Sequence, residues 1–213
     1  PVYISSHSAD VILSDIRPIK LQRDALHALN VLLDEFLYRI LSAATSLATD
    51  KLRDGLLTVL PTSLGKEALL EAQVELRAYY DRVHGTPSWE DDSKTFYLPW
   101  AFELLRLKCV AFSTLNDSDE DPDAEVRLHA SMSRSAGVTA PRANLVPPAA
   151  LYLAAILEHI LSNVGRVASR DSSRVTAPIQ DLFTALCEDS TVYPLFKTMK
   201  GTLGPLTDSQ YTD

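Results

Sequence analysis

The sequence predicts an all-α protein organised around two long amphipathic helices, one in each half of the chain. Three observations carry this. Of the 213 residues, 46% are hydrophobic, with Leu and Ala prominent, while Gly numbers only 7. Apolar residues recur at the three-and-four spacing of a helical stripe rather than in the alternation of a strand. Strand signals, meaning β-branched or aromatic runs between turn residues, are nearly absent.

Taken in order, a short helix is expected over Ala9–Ile16. The strongest element follows, Leu21 to Ala48, with a stripe of Leu26, Leu29, Leu33, Phe36, Leu37, Ile40, Leu41, Ala44 and Leu47. No Gly or Pro interrupts the chain from Ile19 to Asp54, so the helix is expected to be continuous and roughly 40 Å long. Pro61 breaks the chain before a helix over Leu64–Val83. A punctuated region, Gly85 to Trp100, contains Pro87, Pro99 and the acidic Glu90-Asp91-Asp92. The apolar segment Ala101–Leu115 comes next. The run Asn116–Glu125 holds six acids and no base, which predicts a solvated loop because like charges repel and cannot be buried together. The small-residue stretch Ser131–Asn144 is expected to continue that loop. Pro147-Pro148 then suits a helix start. The second long helix runs to about Ser169, with a stripe of Leu151, Ala154, Leu157, Ile160, Leu161, Val164 and Ala168. Short helices over Ile179–Cys187 and Thr191–Met199 complete the chain.

Composition excludes several classes. A disordered or collagen-like chain would need fewer apolar residues or far more Gly. No apolar run approaches the ~18 residues a membrane span needs, so no membrane association is expected. The N-terminus, Pro1-Val2-Tyr3-Ile4, has no basic segment followed by an apolar one, and it reads as a domain of a longer protein rather than a secreted precursor. Two cysteines, Cys109 and Cys187, do not make a disulfide framework, which points to a reducing intracellular home, nucleus or cytoplasm. The net charge is −8, and acids outnumber bases in both halves, against the clustered Lys and Arg that phosphate neutralisation requires.

The run Leu151-Tyr152-Leu153-Ala154-Ala155-Ile156-Leu157-Glu158 resembles the median helix of histone 2A. The likeness continues through Ala168-Ser169-Arg170-Asp171-Ser172-Ser173-Arg174-Val175-Thr176-Ala177-Pro178, where the histone has a basic loop, a short β-bridge and a Pro-started third helix. It extends to Gly201-Thr202-Leu203-Gly204-Pro205-Leu206, where the family turns into an extended docking tail. The first half is similar to histone 2B. Asp24 to Asn30 and Leu33 to Ile40 echo that histone's median helix, and Leu60-Pro61 with Leu64-Gly65-Lys66 echoes the entry to its C-terminal helix. The segment between Ala48 and Leu60 is short for the family, so its second loop and third helix are expected to be abbreviated.

The resemblance implies two histone folds in one chain, packed as an intramolecular pseudodimer. Residues 1–84 are the histone 2B-like half and residues 147–213 the histone 2A-like core and tail. Residues 85–146 join them and include the second half's first helix, about Ala101–Phe112. Each half alone exposes the stripe its partner covers, and fusion makes the pairing obligatory.

Little in the chain suggests catalysis. The five His are scattered without metal-ligand spacing, and there is no Gly-rich phosphate loop or nucleophile elbow. Asp34 and Glu35 are adjacent, so they point to different helix faces and do not form a carboxylate pair. No enzyme activity, cofactor, metal or small-molecule substrate is expected.

DNA contact is the sharper question. The family grips phosphates at paired loops and helix N-termini. The resemblance maps Arg174, with Arg170 preceding it, onto that basic loop; Lys20 and Arg23 lie near the start of the first long helix, and the four are expected to form a small basic ridge. Asn144 and Asp24, however, stand where the family has bases. The family's acidic docking patch is also eroded. Glu158 is kept and Glu188-Asp189 approximate it, but Asn163, Arg166, Ser190 and Thr191 occupy its other positions. The expected function is therefore a non-catalytic interaction or scaffold module with weakened DNA binding and a protein partner. The alternative is a chromatin component that binds DNA or histones.

Overall fold

A computed structural model describes residues 2–16, 20–86, 90–113, 121–135 and 137–168, with isolated positions between 176 and 194. Among them the chain forms seven α-helices: α1 (Ser6–Ile16), α2 (Arg23–Ala44), α3 (Thr49–Val59), α4 (Ser63–Val83), α5 (Leu98–Phe112), α6 (Pro122–Arg134) and α7 (Val146–Ala168). Two-residue strands β1 (Lys20–Leu21) and β2 (Thr176–Ala177) pair in parallel. The all-α class holds.

The two longest helices, α2 with 22 residues and α7 with 23, are each roughly 34 Å long at 1.5 Å per residue. Both are amphipathic, and their apolar faces share one continuous cluster. It joins Leu29, Leu33, Phe36, Leu37 and Ile40 of α2 to Ala150, Leu153, Ile156, Leu157 and Ile160 of α7. Burying each of the larger side chains contributes about 1.5–3 kcal/mol. The long helices touch over only a short stretch. α7 packs most extensively on α4, with α5 next, and α2 packs chiefly on α3.

The first long helix is shorter than its unbroken stripe suggests. It ends at Ala44, where Thr45 takes a left-handed conformation (φ 49°) and donates its N–H to the Leu41 carbonyl. Four residues later α3 begins and folds back on α2. The third helix expected to be abbreviated is instead 11 residues long, and only Thr45 to Ala48 separate it from α2. The close approach depends on Gly55: a Cβ there would lie 2.8 Å from the Ile40 carbonyl oxygen and 3.0 Å from the Ala44 Cβ.

A second correction concerns the acid-rich run. Its described end, Asp121–Glu125, starts a helix. Asp121 caps α6 by accepting from the Ala124 N–H at 2.8 Å. Pro122 takes the first turn, where Asp123 and Glu125 favour the positive end of the helix dipole. Glu125 pairs with Lys108 of α5 at 2.7 Å, and Met132 enters the core. Ser131–Arg134, expected as loop, closes this helix. The helix expected at Ala101–Phe112 is present as α5, but α6 lies between it and α7. Helices expected over Ile179–Cys187 and Thr191–Met199 fall largely outside the described residues.

The N-terminal segment is tied down by α2. Asn30, buried in the helix, accepts from the Tyr3 N–H at 2.7 Å and the Ile4 N–H at 3.2 Å, and donates to the Ile4 and Leu26 carbonyls.

Candidate functional site

Two regions hold the polar residues that bear on function, and each lies where loops from the two halves meet. At the first, β1 precedes α2 and β2 follows α7, with Lys20 paired to Thr176 and Leu21 to Ala177. Lys20 and Arg23 are both exposed here. Arg23 opens α2, whose first turn also carries Asp24. Two of the four bases expected to form a ridge thus lie three residues apart and open to solvent. Arg170 and Arg174 lie outside the described residues, although the strand pairing brings the backbone just after Arg174 alongside Lys20.

At the second region, Glu90, Asp91 and Asp92 bridge the loop before α3 and the loop before α7. The Asp92 carboxylate, 3% exposed, accepts from the Ser46 hydroxyl and from the Leu47 N–H at 3.1 Å. The Ser46 hydroxyl oxygen in turn accepts from the Ala48 N–H at 3.0 Å. A negative group just ahead of the α3 N-terminus is favoured by the helix dipole. Two residues away, Glu90 accepts from Arg142 at 3.0 Å and from Asn144 at 3.1 Å. These bonds, Asn144 first and Arg142 second, hold the Glu90 pKa below the usual carboxylate range. Asp91 accepts from the Ser93 hydroxyl and, at 2.9 Å, from the Ser93 N–H. Those bonds hold its pKa down too, with Lys51 and Lys94 adding a smaller pull.

Asn144 stands at a position where the resemblance would place a phosphate-binding Arg, and here it donates to the chain's own carboxylate. Sequence reasoning noticed the acidic triplet but assigned it to punctuation. The signal lies in contacts across 45 to 54 residues of sequence, which local spacing does not reveal.

Glu158, proposed from the sequence as a partner-facing acid, is part-buried and accepts from the Ser113 hydroxyl at 3.3 Å. It borders a crevice with Tyr3, Leu33 and Cys109 that has room for about one water. Burial, and next the nearby Glu158, push the Cys109 thiol well above its ordinary pKa, so this cysteine stays protonated and unreactive. Glu188 and Asp189, the other expected partner-facing acids, lie outside the described residues. His159 faces Glu67 of α4 at 3.6 Å, with Arg166 at 3.9 Å from the same carboxylate, so this part of α7 faces α4.

Asp34 and Glu35 diverge as their adjacency on a helix requires. Asp34 accepts from the Tyr3 hydroxyl at 2.5 Å and from Arg106 at 3.0 Å, while Glu35 pairs with Arg39 on the exposed face. Burial, then the Asp34 contact, raise the Tyr3 pKa far above normal. Arg106 also stacks on Phe102 at 5.0 Å, and Phe102 meets Tyr38 edge-on. This group fastens the N-terminus and α5 to α2.

Compared with known proteins, the chain matches no family model and no curated protein. Among the described residues, no group of three or more His, Cys, Asp or Glu is placed to hold a metal ion, and no helix is long and apolar enough to cross a membrane.

Proposed function

We propose that this chain is a tandem histone fold, a histone 2B-like half paired intramolecularly with a histone 2A-like half, and that it serves as a non-catalytic interaction or scaffold module with weakened DNA binding. The supporting observation is the crossed connection between halves. The segment just before the first long helix pairs in parallel with the segment just after the second, at the position where the resemblance calls for a β-bridge. One apolar cluster running through both long helices supports the same pairing.

Weakened DNA binding rests on the second loop region, where Arg142 and Asn144 donate to Glu90 and the α3 N-terminus faces Asp92. A net charge of −8 acts in the same direction at long range. The test is a gel shift with a 20-base-pair duplex across a salt series. The module reading expects association no tighter than ordinary non-specific binding, about 10⁻⁴–10⁻⁶ M at physiological salt.

A second reading, a DNA- or histone-binding chromatin component, draws on the exposed Lys20 and Arg23 at the bridge. Tight duplex binding that falls steeply with salt and drops on Arg23→Ala or Arg174→Ala would establish it over the first. Retention of core histones on the immobilised protein would favour its histone-binding form.

A further inference from the structure

We propose that α4 docks against α4 of a second copy of this chain, antiparallel, with Val74 on the two-fold axis. The inference does not depend on the tandem-fold reading, because it uses one helix and its outward face.

α4 is apolar on two sides. Its inner side, where Ala68 and Ala72 are fully buried, packs on α7. On the opposite side Leu70 and Val74 are each 62% exposed. The exposed Ala78 continues their row at the four-residue spacing of a helix-packing ridge. No two of the other large apolar residues exposed among the described residues share a helix face, and singly exposed ones are ordinary on a protein surface.

The charges beside this row select the occupant. Glu71 and Arg77 lie three residues before and after Val74, and at about 100° per residue they fall on opposite flanks of the row. Both are exposed, and neither forms an ion pair among the described residues. A two-fold axis through Val74 exchanges positions equally far from it along the helix. Glu71 of each copy thereby meets Arg77 of the other, and Leu70 meets the small Ala78. A foreign partner would have to supply this pattern, whereas a second copy carries it already.

Further out the matched charges are alike, Glu67 with Asp81 and Lys66 with Arg82. Glu67 is drawn aside toward His159 and Arg166 of α7. The like charges at the ends favour copies that cross rather than lie side by side, at about −50° for interdigitating four-residue ridges. A single crossing buries less than the ~1,200 Å² of a standard interface, so the association is weak and reversible.

The experiment is sedimentation equilibrium of the full chain from about 10 µM to 1 mM. The wild type should pass from monomer toward dimer across this range. Val74→Asp sets two carboxylates on the axis and should weaken association at least about tenfold. Glu71→Arg and Arg77→Glu should each do the same, because each places like charges opposite one another twice. The double variant Glu71→Arg, Arg77→Glu should recover wild-type association to within about threefold. An equimolar mixture of the two single variants should associate as well, since each mixed pair holds one native contact and one reversed contact. The substituted positions are exposed, so thermal melting should find every variant folded as the wild type is.

A wild-type chain that stays monomeric throughout the range overturns the proposal and leaves this face to a foreign helix. A dimer indifferent to Val74→Asp overturns it too. So does a dimer that weakens on single reversal but recovers in neither the double variant nor the mixture.

Discussion

The two loop regions of this molecule occupy equivalent topological positions and treat their polar groups in opposite ways. At the bridge, Lys20 and Arg23 are turned to solvent beside a two-residue strand pair. At the acidic segment Glu90–Asp92, which straps two loops together, Arg142, Asn144, Ser46 and the Leu47 N–H all meet its carboxylates. Among the described residues the bridge joins the halves through backbone pairing, with Lys20 and Arg23 exposed beside it. The strap joins its loops through carboxylates and so uses up the donors that an outside anion would need. Net charge describes the whole molecule, but this contrast shows acidity placed at one particular junction.

The largest expected disruption removes one side of both regions. A fragment of residues 85–213 loses α2, α3 and α4, and with them the cover over α7 and the partner of the bridge. It should be aggregated or molten, with collapsed amide dispersion in an NMR spectrum. A well-dispersed monomeric fragment would contradict the pseudodimer.

Asp92→Ala comes next. It strands the buried Ser46 hydroxyl and Leu47 N–H and should cost about 2–4 kcal/mol in urea denaturation. Asp92→Asn should recover most of that loss, and equal losses from the two would mean that hydrogen bonding is not what the strap contributes. Gly55→Ala tests the seat of the neighbouring α3 on α2. The added methyl meets the Ile40 carbonyl, and a loss of about 1–3 kcal/mol is expected.

A smaller effect is tied to pH. Glu90 and Asp91 have folded pKa values below their unfolded ones, about 4.3 and 3.9. Their contribution is therefore fully present above those values and declines as pH falls through the depressed folded values. Hydrogen exchange around residues 90–95 should accelerate in that acidic window before the core does, and the bridge amides should show no matching change. The least effect belongs to the bridge side chains. Lys20→Glu and Arg23→Glu should each alter stability by no more than about 0.5 kcal/mol, measured by thermal melting.

The long helices were legible because their stripes are long and regular, and α4 was legible behind Pro61. The break after Ala44 was not. Nothing in the residues 45–48 stops a helix by type alone, and the turn depends on Asp92 arriving from the linker. The full length of α3 was not legible because only Leu52, Gly55 and Leu56 of its residues are buried, too few for a clear stripe. In α6 a usable signal was present. Asp121-Pro122-Asp123 followed by Glu125 is a capped, acidic helix start, concealed within a run whose overall charge suggested a loop. At the candidate site, the exposed bases Lys20 and Arg23 were readable from sequence. The strap was not, because Arg142 and Glu90 become neighbours only through folding.

The strand bridge has a consequence for the order in which the molecule assembles. Its partners, Lys20 and Thr176, are separated by about 150 residues of chain, and closing so long a loop for two residue pairs is entropically unrewarding until packing has brought them together. The helices must therefore dock first, and the bridge forms late, as a latch that closes on a finished bundle. In unfolding the order reverses, and a pull on the chain would release that latch while the apolar interior was still intact.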